Sequence, residues 1–276
     1  MCPMKISITL PVYNNLEGLE LSLQSILEQT YSDWEVIIVD DGSIENHEIV
    51  VNKFRDERIR FFRLEKNKGR AVARQKTFEA LQGEYCAFLD AGDCYEKNFL
   101  ENAVNIFSNH NDLLGVSQTM KIVYKNNLYL SRIENDYVID IKSPMFQKIS
   151  FASTVIRSDL CKNYRFNFSL KHSEDREFLN HLSENYTGKI FISNSNSYIY
   201  NLSSENAKVS TTMKKYYYFG WLLFHEGKYL QSTQAFFKML IGTLCHIVFG
   251  YEKLLEIRYK KPLKLECISI ITNKQV

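Results

Sequence analysis

Trp34–Ser43 reads WEVIIVDDGS. Four aliphatic residues in a row, Val36 to Val39, run straight into two aspartates, a glycine and a serine. An apolar run of this length, bounded by turn residues, predicts a strand buried on both faces, the pattern of a parallel sheet covered by helices. The acids fall where the strand ends. Upstream, KISITL (Lys5–Leu10) alternates, with Ile6, Ile8 and Leu10 on one face, and Pro11 ends it. Between the two strands, Leu16, Leu19, Leu23, Ile26 and Leu27 recur at helical spacing, with Asn14 or Asn15 placed to cap the helix. Downstream come a helix from His47, a short strand IRFFRL, a turn at Asn67–Gly69, a helix from Arg70 stopped by Gly83, a strand YCAFLD and a helix from Asn98. This alternation predicts parallel βα units and an open α/β sheet. Such sheets bind ligands in the crevice beyond the carboxyl ends of their strands. Three clusters distant in sequence, Pro11–Asn14, Asp40–Ser43 and Asp90–Asp93, are thereby expected at one edge.

The second half changes character. LLGVSQTMKIVYKNNLYLSRI predicts a hairpin turned at Asn126–Asn127. SFASTVIRS predicts a strand, SEDREFLNHLSEN a helix opening on acids, and KIFIS and SYIYNL two short strands. Beyond Thr211 two helical stretches, MKKYYYFGWLLFHEGK and YLQSTQAFFKMLIGTLCHIVFGY, lead into a basic tail.

With 45% apolar and 24% charged residues among 276, the chain has the composition of a globular protein. A net charge of +2 excludes a bulk nucleic-acid signal. The charge is uneven: from Lys214 onward there are ten basic residues against four acidic, leaving the preceding part at −4. Six cysteines lack metal-ligand or redox-pair spacing and are expected as buried thiols in a reducing compartment. The N-terminal stretch lacks a signal-peptide core, and the uncharged stretch Met239–Tyr251 is shorter than the ~20 residues a spanning helix needs.

Each acidic cluster has an ordinary reading. VDDGS suits an Asx turn, Asp93 suits a turn leading into a helix, and Glu174 and Asp175 suit the first turn of a helix, where the dipole favours them. The alternatives are a carboxylate reading a base or ribose, a pair of acids holding a hard cation on a diphosphate, and a general base. No G-x-G-x-x-G follows the first strand, which excludes a dinucleotide-binding domain.

Taken together, ISITLPVYNN, VIIVDDGS, EKNKGRAVARQ, GEYCAFLDAGDCY and SEDREF resemble family 2 of the inverting nucleotide-sugar glycosyltransferases. The resemblance is strong from Lys5 to about Leu100, returns at SFASTVIRSDL and SEDREFL, and stops before Thr211. It implies an A-type glycosyltransferase fold: a Rossmann-like, mostly parallel central sheet flanked by helices, here with a C-terminal helical extension. It implies a catalytic domain over 1–211, split into a nucleotide-sugar half (1–112) and an acceptor half (113–211), followed by the extension 212–276. Position by position, Pro11, Tyr13 and Asn14 match the first nucleotide-contacting turn. Asp41 matches the base-reading acid, supported by Asp40. Lys68, Gly69 and Arg74 match the segment that closes over the nucleotide. Asp90, with Ala91 beside it, matches the first acid of the D-x-D element, and Asp175, preceded by Glu174, matches the catalytic base.

The resemblance breaks at one residue. Gly92 stands where many members carry the metal-binding acid. Asp93 is therefore expected to join Asp90 in holding Mn²⁺ or Mg²⁺, ahead of an ion held mainly by diphosphate and water. The expected donor is a nucleoside-diphosphate sugar, UDP ranked before GDP and dTDP. The expected acceptor is a saccharide or lipid-linked hydroxyl, with His172, Arg157 and Arg176 nearby and no nucleic acid involved. The implied setting is bacterial capsule, exopolysaccharide or lipopolysaccharide synthesis, in the cytoplasm. Peripheral contact with the inner membrane through the basic, aromatic extension stays open, as does a homodimer. A nucleotide-sugar-binding or scaffolding subunit without turnover is the alternative that Gly92 raises.

Overall fold

The computed structural model describes residues 4–125, 127–131, 133–170, 173–202 and 263–264. The two helical stretches expected after Thr211 lie outside the described residues, as do His172 and Asn126.

The chain alternates strand and helix as the periodicity requires: β1 (Ile6–Val12), α1 (Leu16–Leu27), β2 (Trp34–Asp40), α2 (Glu48–Phe54), β3 (Ile59–Arg63), α3 (Arg70–Glu79) and β4 (Tyr85–Phe88). Then come a two-residue strand β5 (Cys94–Tyr95), α4 (Phe99–Asn109), β6 (Leu113–Tyr124), β7 (Asn127–Leu130) and β8 (Tyr137–Asp140). A 3-10 turn at Phe146–Lys148, β9 (Thr154–Arg157), α5 (Ser158–Lys162), α6 (Glu174–Asn185) and β10 (Lys189–Asn201) follow, and β11 is Leu263–Lys264. The two strands expected at KIFIS and SYIYNL are one continuous strand, β10. Its residues 189–192 pair with β8, and Glu96, next to β5, donates to the Ser197 carbonyl at 2.8 Å. In the hairpin, Tyr124 pairs with Asn127, so Asn127 already belongs to the second strand. Helix α3 ends at Glu79, a turn before the glycine expected to stop it.

By internal packing the chain divides into two compact units, residues 1–119 with 135–198, and residues 120–134 with 199–276. In the first, the sheet order is β6–β9–β4–β1–β2–β3. β1 pairs in parallel with β2 from Ile6 opposite Trp34 to Val12 opposite Asp40, and in parallel with β4 on its other side. β2 and β3 are parallel, whereas β9 runs antiparallel to both β4 and β6. Successive strands thus build outward from β1 to β3, and β4 then returns to the far side of β1. This reversal between β1 and β4 opens a crevice at their carboxyl ends.

Every residue of β2 is buried, so both faces of the sheet are covered. Val36, Ile37, Ile38 and Val39 are wholly inaccessible, each worth about 1.5–3 kcal/mol relative to exposure. One aromatic cluster sets the position of α6. Phe178 lies 5.6 Å from Phe78 of α3 and 5.7 Å from Phe151, which stacks on Phe88 of β4 at 4.0 Å between centroids. Such pairs add about 0.5–1.5 kcal/mol each beyond their buried area. They hold the first turn of α6 beside the end of β4. In the second unit Ile122, Tyr124, Tyr129 and Leu202 form a small apolar core of their own.

Candidate active site

The carboxyl ends of β1 and β2 are laced by their loops. Asn14 has φ 47°, a left-handed conformation that asparagine tolerates. Its N–H donates to Ser43 Oγ at 2.8 Å, and its Oδ1 accepts from the Ile44 N–H at 2.9 Å. The Asn15 N–H donates to His47 Nε2 at 3.2 Å. That bond puts the ring proton on Nδ1, which faces the Glu45 carbonyl at 3.0 Å and Asp40 Oδ2 at 3.7 Å. Asp40 is wholly buried. Its Oδ1 accepts from the Ser43 N–H at 2.9 Å, and its Oδ2 lies 3.6 Å from Arg63 Nε. Asp40 therefore braces the turn from within. Tyr13 stands at the rim, 46% exposed.

Asp41 faces the other way. Its Oδ1 accepts from the Lys68 N–H at 2.8 Å and its Oδ2 from the Gly69 N–H at 2.9 Å. Burial, helped by the charge of Asp40, raises its pKa against the pull of these two donors. Gly42 (φ 68°) is required here, because a Cβ would come within 2.3 Å of the Lys66 backbone. Asp41 and the segment before α3 thus form one wall, and Lys68 and Arg70 project from it into solvent.

The turn after β4 carries Asp90 to Asp93. Asn15 caps α1 by accepting from the Gly18 N–H at 3.0 Å, and its Nδ2 donates to the Ala91 carbonyl at 2.8 Å. Gly92 (φ 107°) donates its N–H to the Gly18 carbonyl at 3.1 Å and to Ser22 Oγ at 3.0 Å. Ser22 Oγ in turn donates to the Asp93 carbonyl at 2.8 Å. Asp93 is 5% exposed, and its Oδ2 accepts from the Tyr198 hydroxyl at 2.7 Å. Burial first, then the charges of Asp93 and Asp90, push the Tyr198 pKa far up, so Tyr198 keeps its proton and donates it.

The two aspartates of this turn have different surroundings. Asp93 points into the interior against Tyr198, and Asp90 is paired with arginine. Among the described residues no group of three or more His, Cys, Asp or Glu side chains gathers, although an ion carried on a diphosphate takes only one or two carboxylates. Of the two carboxylates solvent reaches Asp90, and the glycine turn that brings Asp93 inward also buries it.

Asp90 remains open, its side chain 38% exposed. Arg74 Nη2 donates to its Oδ1 at 2.8 Å. Arg74 is buried, with Nη1 3.4 Å from Glu174 Oε1 and its guanidinium 4.6 Å from the centroid of the Phe151 ring. Burial alone would lower the Arg74 pKa, but Asp90, Glu174 and Asp175 together raise it, so the cation is permanent. Glu174 is buried, and Arg70 Nε lies 3.7 Å from it on the rim. Asp175 is half-buried, with Oδ1 accepting from the Arg176 N–H at 2.9 Å. Arg157 is taken up by Asp159 at 2.6 Å, and the Arg176 guanidinium donates to the Gln147 carbonyl.

A family model described as Glycosyl transferase family 2 matches residues 7–171. The chain belongs to that family. The match carries Asp41, Asp90 and Arg74 and ends three residues before Glu174. A putative teichuronic acid biosynthesis glycosyltransferase of Bacillus subtilis is 42% identical over 98 residues, 35% of this chain and 39% of that one. A UDP-Glc:alpha-D-GlcNAc-diphosphoundecaprenol beta-1,3-glucosyltransferase of Escherichia coli is 36% identical over 106 residues, 38% of this chain and 42% of that one. The chain thus matches about two fifths of the length of these curated relatives. The crystal structure of S. aureus TarS with UDP-GlcNAc superposes with a TM-score of 0.66, at 21% identity, over 95% of this chain and 77% of that one. It supports the family 2 fold expected from the motifs.

Sequence reasoning missed four contributors: Tyr198, Ser22, His47 and Phe151. Tyr198 is 105 residues from Asp93 and lies in an ordinary strand pattern, so nothing local marks it. Arg74 had a motif, but its bridging of Asp90 and Glu174 is a contact across three elements.

Proposed function

We propose that the protein is an inverting glycosyltransferase. It moves a sugar from a nucleoside-diphosphate sugar, with UDP as the expected carrier, to a hydroxyl of a saccharide or lipid-linked acceptor. The observation that carries this reading is the convergence, within one compact unit, of Asp41 on the Lys68–Gly69 wall, open Asp90, and the acidic pair Glu174–Asp175 linked to Asp90 through Arg74.

In this reading Tyr13 lies against the base, Asp41 with the Lys68–Gly69 segment holds its polar edge, and Asp90 accepts from donor hydroxyls. Asp175 takes the proton of the acceptor hydroxyl. The acceptor oxygen then bonds to the anomeric carbon from the face opposite the diphosphate. The bond from that carbon to the diphosphate breaks, the diphosphate leaves with the electron pair, and the configuration inverts. A divalent ion, as the family resemblance implies, would be held by Asp90, the solvent-reached carboxylate of the turn, and would offset charge on the leaving diphosphate. The relatives named for teichuronic acid and for a diphosphoundecaprenol acceptor support a role in cell-surface polymer synthesis. No helix among the described residues is long and apolar enough to cross a membrane.

The test is calorimetric titration with UDP, GDP and dTDP, with and without Mn²⁺, followed by transfer assays with the matching sugar donors. One nucleotide binding well ahead of the other two, with donor consumption, is expected. Failure of all three nucleotides to bind overturns the reading. Binding with neither transfer nor donor hydrolysis turns it into the binding-subunit alternative.

A further inference from the structure

Arg74 sits between two groups that the proposed reaction uses at different moments. Its Nη2 is bonded to Asp90 at 2.8 Å, whereas its Nη1 stands 3.4 Å from Glu174 Oε1. Among the described residues neither Nη1 nor that oxygen has a hydrogen-bond partner, although both are buried. A buried ion pair at 3.4 Å that makes no hydrogen bond is in a poor resting geometry, since both groups are shielded from bulk solvent. Asp90 is the member of the triad that solvent reaches; the Arg74 and Glu174 side chains are 4% and 3% exposed. The Phe151 ring, whose centroid lies 4.6 Å from the guanidinium carbon, packs against the guanidinium. Glu174 opens α6 and is followed directly by Asp175.

We infer that Arg74 is a positioning residue that couples donor occupancy at Asp90 to the placement of Asp175. The inference rests on the donor reading above. A donor hydroxyl that bonds to Asp90 competes for the oxygen that holds Arg74. The guanidinium then closes on Glu174 and draws the first turn of α6 into its working position. The general base is thereby set only when a donor is present, which limits wasteful chemistry at an empty site.

The experiment is hydrogen–deuterium exchange at the first turn of α6, with UDP-glucose and UDP-GlcNAc as probes, on wild type, Arg74→Gln and Arg74→Lys. Lysine keeps the charge but cannot span two carboxylates. Binding of a probe is expected to slow exchange at residues 175–178 of the wild type by about fivefold or more, the low end of ordinary coupling. Both variants are expected to bind the same probe within about tenfold of wild type yet lose the exchange response, with the loss of turnover falling on kcat rather than on KM. Thermal melts establish which variants remain folded, and Arg74→Lys decides if Arg74→Gln does not. A folded variant that binds the probe and retains the response overturns the inference. So does a wild type that binds without any change at α6, and either result leaves the donor reading standing. A wild type that binds no nucleotide sugar overturns the donor reading and this inference with it.

Discussion

Two aspartates three residues apart have different fates, and the difference can be measured. Asp93 is buried under Tyr198, so Asp93→Ala leaves a buried hydroxyl without its acceptor, at a cost of about 1–3 kcal/mol. The expected outcome is a lower melting temperature and denaturation midpoint. Asp93→Asn, which keeps an acceptor, is expected to bind UDP with the same response to Mn²⁺ as wild type; a lost Mn²⁺ response would return Asp93 to the role of ion ligand. Asp175 has the opposite character. It is half-buried near the Arg74 cation, and Asp175→Asn keeps the shape while removing the proposed base. Turnover is expected to fall by about 10²–10⁴-fold, with UDP affinity nearly unchanged. Single-turnover assays beside calorimetry check this, and full turnover in the variant would remove Asp175 from the mechanism.

The elements are joined by buried polar ties as well as by apolar contact. Glu35 of β2 accepts from Ser7 Oγ of β1 at 2.6 Å, from Arg60 Nη1 of β3 at 2.9 Å, and from the Gln82 N–H at 2.8 Å. Burial alone would raise its pKa, but these three donors outweigh it and carry it below the usual 4.5. The folded state therefore favours the ionised carboxylate. Its contribution is present above the unfolded pKa and is lost as the pH falls through the lower folded value. Melting temperatures of wild type and Glu35→Gln are expected to differ most near neutral pH and to converge below about pH 4.5. A gap that stays constant to pH 3 would mean that Glu35 acts through shape alone.

At the scale of the whole molecule, the first unit assembles its site from loops that the chain visits at residues 11–15, 40–43, 66–74, 90–93 and 173–176. A ligand that touches several of them stabilises the folded state against the unfolded. At a UDP concentration one hundred times its Kd, the linkage is worth about 2.7 kcal/mol. That corresponds to a rise in melting temperature of about 5–10 °C for a domain of this size. Differential scanning fluorimetry with UDP, GDP and dTDP would rank the bases directly, and no shift with any of them would count against the nucleotide site.

The strand and helix order was legible because each element carries its own period. Ile6, Ile8 and Leu10 alternate, Leu16 to Leu27 repeat at helical spacing, and Val36 to Val39 form a run that only a sheet covered on both faces can bury. The family was legible because VDDGS, LDAGD and SEDREF keep their order and their strand or helix context. These are local facts, set by side-chain periodicity and turn chemistry within a dozen residues. Tertiary structure alone decided which carboxylate faces solvent. Asp90 and Asp93 share one turn, yet Ser22 and Tyr198 draw the second inward, from 71 and 105 residues away, while the first stays open beside Arg74. It also decided that Arg74 meets Glu174 one hundred residues on, because aromatic packing of Phe78, Phe88, Phe151 and Phe178 seats α6 against α3 and β4. Burial and partnership depend on elements folded from elsewhere in the chain, and no local pattern records them.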